Sequence, residues 1–317
     1  MKFLLTLLTS LLFTASCGAS NNAPFGDDPI VIDSCEGCAP RIYCWPQPQP
    51  EPTPEPCEPK PEPCEPKPEP TPVPKSNCTI FMGNTHKESP EHQEKLFDQI
   101  AKAQGCVVKD IFHTGDMSYG ADNLETFLND FSPALVKKPQ ARFWPARGNE
   151  DRMWPESLAT LKRWFPHLTM ETCKSYYVKN GDLTTIVLDS EDYCSRDDQL
   201  RLVAEHLTGK PVAIVMHGAA FTSYLDTIEN DWAKTDLHET IKGWNVTVFN
   251  GEAIGYERNY LDGVNYVNPG SGGVVPGQCD NPKDFTLKCK PTYSYVICTD
   301  LLQCRAVDYN GKTIDFF

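Results

Sequence analysis

From residue 76 onwards, short apolar runs and amphipathic stretches alternate. Residues 79–82, 110–114 and 142–146 read as strands, with helices at 92–103 and 124–135 between them. Residues 176–178 and 184–188 read as a strand pair, followed by a helix at 199–207 and strands at 212–216 and 246–249. The pattern then turns to β: 264–267, 294–298 and 304–309. Alternation followed by β-rich structure predicts two packed sheets with helices outside. The stretch 76–317 is long enough for a substantial core.

The first 75 residues follow other rules. Lys2, an apolar stretch over 3–13 and then Thr14-Ala15-Ser16 read as an export signal over 1–16, too short for a transmembrane helix. Residues 17–45 form a short polar segment with Cys35, Cys38 and Cys44. No second cysteine pair at zinc spacing accompanies them, so disulfides or disorder are the expectation. Residues 46–75 carry Pro at nearly every second position. Proline removes amide donors and fixes φ, so this tract is expected to be a stiff spacer.

The chain has 14 cysteines, too many for a reducing compartment. Eight lie in the globular part, and eight allow 105 pairings. Cys298 and Cys304 flank a hairpin and Cys279 and Cys289 flank a loop, which makes them the two expected local bridges. The formal net charge of -14 disfavours nucleic-acid binding. It also repels anionic ligands at long range, so a site for one needs local positive charge of the kind a bound metal gives.

Candidate chemistry lies where strands end. Gly83-Asn84-Thr85-His86, Gly115-Asp116-Met117-Ser118-Tyr119 and Gly148-Asn149-Glu150-Asp151 each follow an apolar run. His217 ends the run AIVMH, and GEAIGYER spans 251–258. Ligand sites in such sheets form at the carboxyl ends of strands. Asp116 offers a carboxylate suited to hard cations. His113, on the strand before it, reads as a buried structural histidine or a support behind the site. His92, His167, His206 and His238 read as loop or helix-surface residues.

The order of these segments, at intervals of about thirty residues, resembles the calcineurin-like metallophosphoesterases, and among those the purple acid phosphatase branch. The resemblance covers about residues 78 to 317 and implies a four-layer α/β/β/α sandwich. It also implies that Asp116 bridges two metals, that Tyr119 binds the first, and that Asn149 and His217 bind the second. Glu252 stands in place of a ligand His and can still coordinate through oxygen. The second site thus keeps four ligands: Asp116, Asn149, His217 and Glu252. In the first, Asn84 replaces an Asp and Ile254 replaces a His, while His86 matches a ligand His of the wider family. Glu150 takes the place of the substrate-contacting His, and would be a candidate proton donor if burial raised its pKa. Tyr256-Glu257-Arg258 is kept and reads as the structural entry to a strand.

Thr14-Ala15-Ser16-Cys17 resembles a bacterial lipobox, which implies lipidation at Cys17. Gly18 points to the outer membrane in a Gram-negative host. Together these readings give an exported, lipid-anchored phosphoester hydrolase with one or two ions of Fe, Mn or Zn in a remodelled site. Its partners would be a small phosphoester and the membrane. The alternative is a catalytically inactive surface lipoprotein on the same scaffold, and a third possibility is an envelope protein whose function lies in the tether.

Overall fold

The computed structural model describes residues 76–317, apart from 87, 104, 120, 152–153, 169–174 and 192–193. The export signal, Cys17, the cysteines at 35–44, the Pro-rich tract and Cys173 lie outside the described residues.

Strands β1 (Asn77–Met82), β2 (Val107–His113) and β3 (Arg142–Pro145) run parallel in a six-stranded sheet. Strands β11 (Ser294–Thr299), β12 (Cys304–Asp308) and β13 (Thr313–Phe316) extend it antiparallel from β1. A second sheet of seven strands holds β4 (Tyr176–Asn180), β5 (Leu183–Val187), β6 (Val212–Val215), β7 (Val246–Phe249), β8 (Tyr256–Leu261), β9 (Val264–Pro269) and β10 (Thr286–Lys290). In it β5, β6, β7 and β9 are parallel neighbours.

Residue alternation along the strands builds three apolar layers. Ile80, Met82 and Ile111 face outward from the first sheet onto Leu96, Phe97 and Ile100 of α1 (Pro90–Lys102) and Phe127 and Phe131 of α2 (Ala121–Val136). Their neighbours Phe81 and Phe112 face inward and meet Val187, Val215, Phe249 and Val267 of the second sheet. On that sheet's far side Ile186, Ile214, Val248 and Tyr266 pack on Val203 of α4 (Arg196–His206) and Leu237 and Ile241 near α5 (His238–Ile241). A side-chain period of two sends consecutive residues to opposite faces, so each strand serves two layers. The four-layer α/β/β/α sandwich is the result.

Helix ends follow their local chemistry. Pro90 opens α1, where its missing N–H costs nothing, and Glu91 sits in the first turn. Ser195 caps α4 by accepting the N–H of Asp198 at 3.4 Å. The expected strands at 79–82, 110–114, 142–146 and 246–249 and the 176–188 hairpin are present, with ends shifted by a few residues. Helix α3 (Trp154–Trp164), the π-helical turn Ala233–Leu237 with α5, and strands β10 and β13 were not anticipated.

Cys279–Cys289 and Cys298–Cys304 are disulfides, as the spacing suggested. A third, Cys78–Cys106, ties the start of β1 to the start of β2. Tyr256 and Arg258 also follow the structural reading: both grip Asp315 of the opposite sheet. Glu257 is buried and accepts from the N–H and hydroxyl of Ser223.

Candidate metal centre

Five loops at the carboxyl ends of β1, β2, β3, β6 and β7 meet at one edge of the sandwich, carrying Asn84, Asp116, Asn149, His217 and Glu252. Asn84 and Asp116 both hold positive φ, at 50° and 57°. Asn and Asp tolerate this conformation better than other side-chain-bearing residues. Close loop packing also fixes residue choice. A Cβ on Gly148 would collide with the backbone nitrogen and carboxylate of Asp116, and one on Gly251 would collide with the carbonyl of Thr114.

His217 is the centre of the cluster and fully buried. Its Nδ1 lies 3.0 Å from the Thr114 carbonyl, which can only accept, so Nδ1 carries a proton. Its Nε2 faces three oxygens: Glu252 Oε2 at 2.7 Å, Asn149 Oδ1 at 2.8 Å and Asp116 Oδ1 at 3.5 Å. Burial opposes a charge on this ring. The carboxylates of Asp116 and Glu252 outweigh burial and lift its pKa to about 10. Glu252 feels the reciprocal effect: burial would raise its pKa, but the hydrogen bond from His217 holds it below the usual carboxylate range.

Three acceptors around one nitrogen require a positive centre between them, either a proton or a metal ion. Among the described residues no three His, Cys, Asp or Glu side chains stand ready as a ligand set. In the metal-free protein the proton on Nε2 closes the cluster. Its donor set nevertheless suits a cation. The Thr114 contact fixes the tautomer that leaves Nε2 as the ligand atom. The remaining donors are two carboxylates and an amide oxygen. Ligand atoms about 2.0–2.2 Å from a small ion stand about 3.0–3.5 Å from one another, close to the spacings around Nε2. The residues present therefore fit one ion of the Fe, Mn or Zn type.

The other half-site is not assembled. The Asn84 amide donates to the carbonyls of Gly251 and Ala253, the second at 3.0 Å. Asn268 donates to the same two carbonyls. Asn84 thus clamps the loop after β7. Tyr119 is half exposed, and its hydroxyl donates to Glu88 at 3.2 Å. Burial of the hydroxyl, followed by the Glu88 charge, raises its pKa to about 12. His86 packs edge-on against Tyr119, with ring centres 4.2 Å apart. Its burial lowers its pKa against the pull of Asp116, Glu88 and Glu150. Ile254 offers only its carbonyl, which accepts from Gly277.

Glu150 is half-buried beside the cluster. Its backbone N–H donates to Asp116 Oδ1 at 2.9 Å, and its Oε1 is 3.5 Å from Asn149 Nδ2. A cavity of about 360 Å³ opens next to Asn149 and Glu252, with Glu191 and Glu229 on its other walls. Lys234 and Lys283 are both paired with Glu229.

Residues around the cluster support it, and the part Asp151 plays was not read from the sequence. Asp151 is buried and accepts the backbone N–H groups of Asp116, Met117, Ser118 and Gly148. Burial and the Asp116 charge raise its pKa to about 7, against the amide hydrogen bonds. Its place at the end of Gly-Asn-Glu-Asp was the available signal. His113 is structural: it meets Thr85 Oγ1 at 2.9 Å, and burial depresses its pKa to about 3. His238, expected on a surface, is buried against Tyr266 and reaches Asp262.

No family model and no curated protein matches the sequence. Solved structures do match the fold. A purple acid phosphatase from yellow lupin (Lupinus luteus) seeds superposes with a TM-score of 0.63 at 14% identity, over 77% of this chain and 54% of that one. The chain therefore spans about half the length of the lupin enzyme. GAP50, the anchor in the inner membrane complex of Plasmodium, gives a TM-score of 0.61 at 13% identity, covering 76% of this chain and 88% of that one. A dimetal phosphatase from Danio rerio gives 0.51 at 9% identity, covering 73% and 95%. The fold is that of the calcineurin-like metallophosphoesterases.

Proposed function

We propose that this chain is an exported, lipid-anchored phosphoester hydrolase that works with a single metal ion. The observation that carries the reading is the convergence of Asp116, Asn149 and Glu252 on His217 Nε2, with Nδ1 tied to Thr114. These four side chains would hold the ion. A bound metal supplies Lewis-acid stabilisation of phosphoryl oxygen and acidifies water at neutral pH. Asp151 fixes the backbone from which Asp116 projects. Glu150 is the candidate proton donor to the leaving group, because its backbone is tied to Asp116 and its carboxyl lies beside Asn149. Repulsion from the carboxylates of Glu150, Glu191 and Glu229 favours small esters that place little negative charge beside them. The three disulfides among the described residues fit an oxidising compartment outside the cytoplasm. Cys17, after the apolar leader, would carry the lipid.

The test is elemental analysis of the purified full chain, with hydrolysis of a chromogenic phosphoester in the presence of Fe, Mn or Zn. Stoichiometry near one and turnover abolished by His217→Ala and Asp116→Ala are expected.

One observation favours a second reading. The Asn84 amide donates to two carbonyls and residue 254 is Ile, which leaves fewer ligands for a second metal. A non-catalytic surface lipoprotein on this scaffold would have the same features, and GAP50 with this fold is described as an anchor. Absence of both bound metal and turnover would select it.

A further inference from the structure

A second cavity, of about 160 Å³, lies between the loop after β1, the loop after β2 and helix α2. It is not part of the His217 cluster. Two polar side chains on its wall are more than nine-tenths buried and keep an atom without a partner. Gln93 is 1% exposed. Its Nε2 donates to the Thr85 carbonyl at 2.5 Å, while its Oε1 has no partner. His86 is 8% exposed, and its Nδ1 is likewise unpartnered. Buried polar atoms are nearly always satisfied, so two unpaired atoms on one cavity wall point to something that fills it.

The wall chemistry limits what that is. Gln93 Oε1 can only accept, so the occupant must donate. Asp130 adds a carboxylate to the lining, and among the described residues no Lys or Arg lines the cavity. Met117 and Phe127, both buried, give an apolar floor, and the Tyr119 ring stands at the rim. An aromatic face favours a cation above it. The volume equals about five water molecules, which admits a group of a few heavy atoms. A bare metal ion is a poor match, because among the described residues the lining offers only His86 and Asp130 as imidazole or carboxylate ligands.

We propose that this cavity binds a small primary ammonium group, with its N–H bonds directed to Gln93 Oε1, His86 Nδ1 and the Asp130 carboxylate and its carbons on Met117 and Phe127. The site is independent of whether the His217 cluster hydrolyses anything.

Titration calorimetry of the full chain in detergent at neutral pH tests this, with ethylammonium as probe and ethanol as its neutral counterpart. Saturable binding of ethylammonium, at least about tenfold tighter than ethanol, is expected. Asp130→Asn alters a half-exposed side chain and should keep the fold, yet weaken ethylammonium about tenfold or more. Gln93→Leu should do the same. Nuclear Overhauser contacts from the ethyl protons to the Phe127 ring would locate the probe. Equal binding of both probes, unchanged binding in Asp130→Asn, or no saturable heat would mean that the cavity holds only water, and would overturn the proposal.

Discussion

The carboxylate of Asp151 accepts the backbone N–H of Asp116 at 3.0 Å. It takes three further amides from the same pair of loops, so one buried side chain sets the course of both. Asp116 holds a positive φ and has little freedom to find its place unaided. Asp151→Ala leaves four amides without their acceptor and should cost at least about 3 kcal/mol. Urea denaturation should show the midpoint falling with an unchanged m-value. Metal affinity should fall with it, because the Asp116 carboxylate would no longer be aimed at His217. Asp151→Asn keeps one acceptor oxygen and should lose less.

Proton and metal compete for His217 Nε2. In metal-free protein its pKa is raised to about 10 by the Asp116 and Glu252 carboxylates acting against burial. A raised folded-state pKa gives stability that is fully present below the unfolded value near 6.5 and is lost as pH rises through the folded one. Chelated protein should therefore lose stability between about pH 7 and 10, and His217→Gln should lack that component. Binding a metal must expel the proton, so apparent affinity should rise about tenfold per pH unit between pH 6 and 9. Metal titrations in buffers of differing protonation enthalpy would count the released proton. A flat affinity profile would show that the metal binds elsewhere.

Restoring the family-like carboxylate at position 84 should harm the protein. The Asn84 amide faces the carbonyls of Gly251 and Ala253. Asp there would set a negative charge against two acceptors that it cannot satisfy. Asp accepts the positive φ as readily as Asn does, so the backbone is not at issue. Asn84→Asp should destabilise by about 2–4 kcal/mol and should not by itself add a second metal. A thermal melt and an elemental count of the variant check both points.

What the sequence disclosed depended on how local the signal was. The parallel strands before Asn84, Asp116 and Asn149 are short apolar runs ended by Gly, so both strands and site loops could be read. The hairpin at Cys298 and Cys304 is equally local. Cys78–Cys106 joins the starts of two parallel strands, a pairing that no spacing announces. Strand β10 carries the polar sequence TLKCK on an edge, where alternation has no buried face to report. At the site, residue types pointed to ligands, but not to where an amide turns. Asn84 donates its nitrogen to a loop 167 residues away, and only tertiary packing decides that. The acidity around Glu191 and Glu229 likewise arises from loops that are distant in sequence.

The sandwich is also fastened across its two sheets by Asp315. Its carboxylate accepts Arg258 Nε at 2.8 Å and the Tyr256 hydroxyl at 2.9 Å, and the Arg258 guanidinium lies over the Phe317 ring at 5.2 Å. Both side chains of the ion pair are largely shielded, at 15% and 13% exposure. Removing one partner strands the other in a poorly solvated place, so Asp315→Ala should cost about 2–4 kcal/mol. Arg258→Lys keeps the charge but loses the planar fork and should cost less, about 1 kcal/mol. The pH sign follows from the carboxyl. Burial would raise its pKa, but the bonds from Arg258 and Tyr256 hold it below the ordinary aspartate value. A depressed folded-state pKa gives stability that is present above the unfolded value and is lost as pH falls through the folded one. Wild-type stability should therefore drop more steeply below about pH 4 than that of Asp315→Asn, which has no charge to lose. Urea midpoints for the two proteins from pH 6 to pH 2.5 would separate the outcomes, and parallel curves would remove Asp315 from the account of how the sheets are held together.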